Sequence, residues 1–318
     1  MTTMTIGLFI LFAVLGLGES WATQAELIEP VGNGEINWSR GTILAKGSGA
    51  PPREAKNIAQ ARLMAERAAL ADARRNLLEV LKGVRVDSQT VVENFMVKRD
   101  EIRLSAEGFI QGSSEIRDRR KYLSDGAVEV TVAMNINGDF LSLMLRPPKE
   151  KEIVPAKLPP SHKPASEAPM ILSKQGEMPP RQVGPQVEEK PSRAGKKSLP
   201  PLADLPKFTG LVIDARGLNL RAALIPKVFD EEGQELYQGQ YVPREKAAQN
   251  GLALYSKDLT AAQTNPRIGR IPLTVKGFKV NPKNSSDIIL KDEEAGRIAP
   301  FAQKGTFLEE CRVMIVVD

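Results

Sequence analysis

The chain has 318 residues, 42% of them hydrophobic and 26% charged, with a formal net charge of +5, 23 prolines, one cysteine and one histidine. One thiol and one imidazole exclude most of the usual nucleophile, base and metal-ligand sets, and they rule out an internal disulfide. Of the excess charge, +4 (11 Lys and Arg against 7 Asp and Glu) falls between positions 147 and 207, so the remainder is nearly neutral. It lacks the concentrated basic face that nucleic-acid binding requires.

The first 22 residues read as an export signal. The apolar run IGLFILFAVLGL, from Ile6 to Leu17, is about 12 residues and spans roughly 18 Å as a helix, short of the ~30 Å hydrocarbon core. Ser20, Trp21 and Ala22 supply small residues at the two positions that a signal peptidase reads. Cleavage after Ala22 is expected, with an uncleaved anchor as the alternative; no integral span is expected once the signal is removed.

Residues 31–146 form the first expected domain. VGNGEINWSRGTILAKGSGA (31–50) mixes apolar residues with five glycines and reads as a bent strand followed by a loop, closed by Pro51 and Pro52. A helix of about 30 residues then ends at Gly83 as its C-cap. Its apolar face carries Ala61, Met64, Ala65, Ala68, Ala69, Ala73, Leu77 and Leu81. Small side chains on that face let the helix lie close against a sheet. VRV (84–86) reads as a short strand, and Ser88 as the cap of one further helix through VVENFMVKRDEIRLSAE. A hairpin turns at Ser124-Asp125-Gly126, with Val128, Val130, Val132 and Met134 on the buried side of its second strand, and GDFLSLMLR closes the domain as a short helix.

From 147 to 206 lie fourteen of the 23 prolines, the composition of a disordered or polyproline II linker long enough to separate two domains. The second domain, 207–318, begins with the apolar strand FTGLVIDARGL and continues with a hairpin around Asp230-Glu231-Glu232-Gly233. REKAAQNGLALYSKDLTAAQ reads as broken helix, IPLTVKGFKV as an alternating strand, and SSDIILKDEEAGRIAPFAQ as a strand running into a helix. CRVMIVVD closes the chain with a continuous apolar strand suited to a sheet centre. The expected fold is α+β, two small α/β-type domains joined by a long disordered, proline-rich linker.

None of the short motifs points to catalysis. Gly47-Ser48-Gly49 lacks the rest of a phosphate-binding loop, and the acidic turns at 230–233 and 292–296 lack a calcium loop's alternating oxygen ligands. His162 falls in the linker without a second ligand, and Cys311 reads as a small buried thiol, a disulfide-linked dimer or reactive thiol being the alternative. No catalytic, cofactor-binding or metal-ligating residues are assigned.

The segment 42–112 carries AKGSGAPP, an AR-x-x-A-x-RAA-x-x-DA-x-R helix, a following Gly-Val and a later Gly-x-x-x-Gly (GFIQG). In these features it resembles the LPP-twenty lipoprotein family and the N-terminal domain of the flagellar assembly protein FlgT. The resemblance implies an envelope or flagellar basal-body setting and a structural or binding role. The function expected is therefore that of a non-enzymatic periplasmic or outer-membrane-associated protein with an envelope protein partner and no nucleic acid. A flagellar basal-body accessory factor and an envelope hydrolase are the alternatives.

Overall fold

A computed structural model describes residues 26–145, 206–237, 242–282, 285–303 and 305–318. The export signal (1–22), His162 and, but for Pro206, the proline-rich linker lie outside the described residues. The architecture is α+β, with two sheet-containing regions on either side of the linker.

The N-terminal sheet runs β1 (Ile28–Val31), β2 (Gly34–Asn37), β3 (Thr42–Gly49), β6 (Val128–Asn135) and β4 (Ser114–Glu115), with β5 (Lys121–Tyr122) also on β6. All its pairings are antiparallel. The stretch expected to be one bent strand and a loop is thus three strands, because glycines at 32 and 41 take positive φ and turn the chain twice. Gly47 and Gly49 belong to β3 itself.

Their role becomes clear against α1 (Ile58–Gly83), capped by Asn57, whose side chain accepts from the Gln60 amide. The helix buries Ala65, Ala69, Ala73, Leu77 and Leu81 at four-residue spacing, with Val80 beside them. A Cβ on Gly47 would stand 2.0 Å from the Ala73 nitrogen, and one on Gly49 2.2 Å from the Ala65 carbonyl oxygen. Helix and strand therefore touch backbone to backbone, and only glycine facing alanine allows it. Met64 and Ala68, expected on the buried face, are exposed, because the contact stripe is one residue wide. Gly83 is the last helical residue and Val84 the cap.

The expected strand at 84–86 is a single bridge between Arg85 and Val91. The next helix is divided into α2 (Val92–Lys98) and α3 (Asp100–Gln111), broken at Arg99 (φ −141°, ψ 106°). Ser88 does not cap it. Asp87 accepts from the Gln89 and Thr90 amides to close a turn, and Asn94 Oδ1 accepts from the Val91 amide at 3.0 Å. The hairpin forms as expected: Gly126 takes φ 83°, and Val128, Val130, Val132 and Met134 are buried. α4 (Asp139–Met144) follows.

The C-terminal sheet has the order β10 (Leu254–Ser256), β13 (Val313–Val316), β7 (Gly210–Asp214), β11 (Pro272–Val280), β12 (Ile288–Leu290), β8 (Val228–Phe229) and β9 (Glu235–Tyr237). The first four are parallel, and β7 and β13, buried on both faces, carry the continuous apolar runs LVI and VMIV respectively. The stretch expected to be broken helix encloses β10 between α5 (Arg244–Asn250) and α6 (Leu259–Gln263). The acidic segment at 292 opens α7 (Asp292–Ile298), with three carboxylates in its first turn.

The two regions belong to one compact unit, and a single cluster of buried apolar side chains runs through both. Two sheet-containing regions, with the proline-rich stretch between them in sequence, agree with the expected α+β fold of two domains joined by a linker.

Replacing Gly47 with Ala is expected to lower stability by about 2 kcal/mol or more through overpacking. Leu63→Ala, on the outer side of α1, is expected to stay within about 0.5 kcal/mol. Urea unfolding of the two variants measures both.

Candidate functional site

Where the two regions meet, α1 delivers Arg85 to the foot of the N-terminal sheet. Its guanidinium forks onto the Glu29 carboxylate of β1, one nitrogen at 2.9 Å from Oε1 and the other on Oε2, while Nε donates to the Ala222 carbonyl of the C-terminal region at 2.7 Å. Trp38 Nε1 donates to the same carboxylate at 2.8 Å, and the indole lies under the guanidinium, 5.3 Å from its ring centre. Burial raises the Glu29 pKa, but the Arg85 and Trp38 hydrogen bonds and the charges of Arg85 and Arg221 outweigh it, so the carboxyl sits below the ordinary 4.5.

Around this pair the backbones join. The Leu224 amide donates to the Arg85 carbonyl at 3.0 Å and the Ile225 amide to the Val86 carbonyl at 2.8 Å. Ser39 Oγ donates to the Tyr255 carbonyl at 2.5 Å, and Tyr255 stands edge-on to Trp38, ring centres 6.0 Å apart. The Tyr255 hydroxyl is spent internally, donating to the Ala223 carbonyl and accepting from its amide. Burial pushes its pKa well above the ordinary phenol value. Asn137 marks a further close approach, since a Cβ on Gly41 or on Gly251 would each fall within 3 Å of its side chain.

Beside Asn137 opens a cleft of about 490 Å³ with walls from both regions. Arg40, Asn135 and Asn137 come from the first; Gln249, Asn250, Arg267, Glu310 and Arg312 come from the second. Arg267 is spent on carbonyl groups at the end of α5, those of Asn250, Gly251 (2.7 Å) and Leu252 (3.3 Å). Burial moves its pKa down from the ordinary value. Behind it the Tyr237 hydroxyl donates to the Leu252 carbonyl at 2.6 Å. A second cavity of about 390 Å³ lies beside the last residues of β3, where β2 has ended and β6 alone pairs the strand. There the α1 side chains serve the strand, Asp72 accepting from the Ser48 amide and Asn76 donating to the Lys46 carbonyl. That pairing protects a sheet edge.

Cys311 is buried at the head of β13 with φ 57°. Burial pushes its thiol up to about 11, so at neutral pH it is a protonated core group and not a thiolate. Gly47 to Gly49 are packing positions and the acidic turns are a hairpin turn and a helix start. Among the described residues no cluster of three or more His, Cys, Asp or Glu side chains forms a metal site. No described helix is long and apolar enough to cross a membrane. The cleft itself went unseen in the sequence, because its residues come from positions 40 to 312 and none forms a local motif.

Three outcomes follow from these environments. Arg85→Met is expected to cost about 2 kcal/mol in urea unfolding at pH 7, by leaving Glu29 unpaired and partly buried. Because the folded Glu29 pKa is lowered, its stabilisation is complete above pH 4.5 and is lost as pH falls through the folded value; the variant should show a shallower acid-side decline. Cys311, raised instead, contributes stability that is complete below its ordinary 9.0 and lost as pH rises through about 11. Native-state labelling with iodoacetamide at pH 8 is accordingly expected to be slow, and to become fast in urea.

Compared with known protein families, residues 210–318 match the family model described as Treponema pallidum Tp0624, second domain. No curated protein matches the chain. The resemblance of 42–112 to the LPP-twenty family and the FlgT N-terminal domain is thereby corrected: the family match falls on the other region, and neither of those families was found. The alanine-rich pattern that carried the resemblance follows from the packing of α1 on Gly47 and Gly49, a demand that any helix this close to a strand makes. The chain's C-terminal region is thus similar to the second domain of a treponemal protein.

Proposed function

We propose that the chain is a non-enzymatic protein of the cell envelope, in the periplasm or at the outer-membrane periphery, whose two regions together present one binding surface to an envelope partner. The observation that carries this reading is the junction. Two sheets joined by backbone hydrogen bonds, a forked ion pair and a shared core form a rigid frame, and the cleft beside Asn137 draws its walls from both. Binding sites favour such positions between structural units, where polar groups from separate elements converge. The apolar leader expected at 1–22 supports the envelope address. The protonated Cys311 thiol counts against a thiolate nucleophile.

The test combines fractionation with site-directed crosslinking. A photoreactive residue is placed at Gln249, exposed on the cleft wall, or at Arg75 on the outer side of α1. The expected result is recovery from the periplasmic or outer-membrane fraction, with a discrete adduct from position 249 and none from 75. Recovery in the cytoplasm, or the same adducts from both positions, would sink the reading.

A further inference from the structure

The charge balance of the cleft is not closed among the described residues. Glu310 is neutralised by Lys246 at 3.0 Å, and Arg40 by Glu26 at 2.6 Å. Arg267 spends its terminal nitrogens on neutral carbonyls, so its charge has hydrogen bonds but no carboxylate partner among the described residues. Its Nε is buried without a hydrogen-bond partner. Arg312, exposed on the wall, has no carboxylate partner among the described residues. Two guanidinium groups without carboxylate partners among the described residues therefore share one concave site with the amide side chains of Asn137 and Asn250. A cation partly withdrawn from water is costly until an anion approaches, and guanidinium presents the planar donor fork that oxyanions accept.

We propose that this cleft binds the oxyanionic group, carboxylate or phosphate, of a small polar ligand, with Arg312 as the direct charge contact, Arg267 as the fixed positive wall and the Asn137 and Asn250 amides on its uncharged part. This rests on the cleft being the working site of the protein. The close packing of Asn137 on Gly41 and Gly251 holds one donor in place before any ligand arrives, which limits the ordering cost of binding.

The experiment uses the full mature chain, titrated with inorganic phosphate and, separately, with citrate at an ionic strength held constant with sodium chloride. Calorimetry gives the affinity and thermal unfolding the stabilisation. The expected result is saturable binding of at least one of the two, weakened about tenfold in Arg312→Ala and unchanged in Arg75→Ala. Far-UV circular dichroism checks that the exposed Arg312 variant folds. Response to phosphate alone identifies a phosphate ligand, and response to citrate a carboxylate one. No saturable response to either anion, or equal affinities in wild type and Arg312→Ala, overturns the proposal. If the position-249 adduct persists while both anions fail, the anion assignment falls alone; if the anions bind but no adduct forms, the partner reading falls alone.

Discussion

The contact between α1 and β3 is the constraint on which the rest of the structure depends. Backbone-to-backbone approach requires glycine on the strand and alanine on the helix, and the sequence meets it with Gly47 and Gly49 against Ala65, Ala69 and Ala73. Among the buried positions of the helix only the last two turns carry larger residues, Leu77, Val80 and Leu81. The helix is therefore seated firmly at its middle and filled in at its end. That fixes where the chain emerges after Gly83, and so where Arg85 stands relative to Glu29 on β1. A helix set farther from the sheet would carry Arg85 away from both Glu29 and the Ala222 carbonyl.

The junction uses two kinds of interaction with different consequences. Shared apolar burial supplies most of the favourable free energy, at about 25 cal/mol per Å². The Arg85 and Glu29 pair contributes less than its geometry suggests, since desolvating both ions offsets much of their attraction. Its value lies in orientation. The fork, the Trp38 indole and the Ala222 carbonyl all make demands on one guanidinium, and only one docking of the two regions satisfies them together. Leu224 and Ile225 then add backbone bonds that a shifted docking would leave unmade.

How legible this was in the sequence varies with how local the signal is. Period-two alternation found β6 and its Ser124-Asp125-Gly126 turn, the continuous apolar run found β13, and four-residue spacing found α1. Gly47 and Gly49 misled, because glycine in a strand reads as a loop when its partner across the packing is unknown. The break at Arg99 has no proline or glycine to announce it, and β10 is three residues inside an alanine-rich stretch. The junction and the cleft were least legible of all. Ser39 and Tyr255 are 216 positions apart, and nothing in either neighbourhood names the other. The same alanine pattern that predicted close packing also produced a family resemblance, since helices packed this close on a strand share a demand for small residues.

The continuity of the folded body across the linker has a consequence for the covalent chain. Residues 145 and 206 both belong to one compact unit, so the two halves of that unit are joined in sequence through the residues between these positions. A chain whose backbone is cut between those two positions would be two polypeptides but still one particle, a noncovalent heterodimer held by Arg85, Glu29 and the shared core. The intact peptide connection acts as a tether, keeping the two halves at an effective concentration on the order of millimolar. The body therefore tolerates wide variation in what is threaded between its halves, because each doubling of the inserted length adds only about 0.6 kcal/mol of closure entropy.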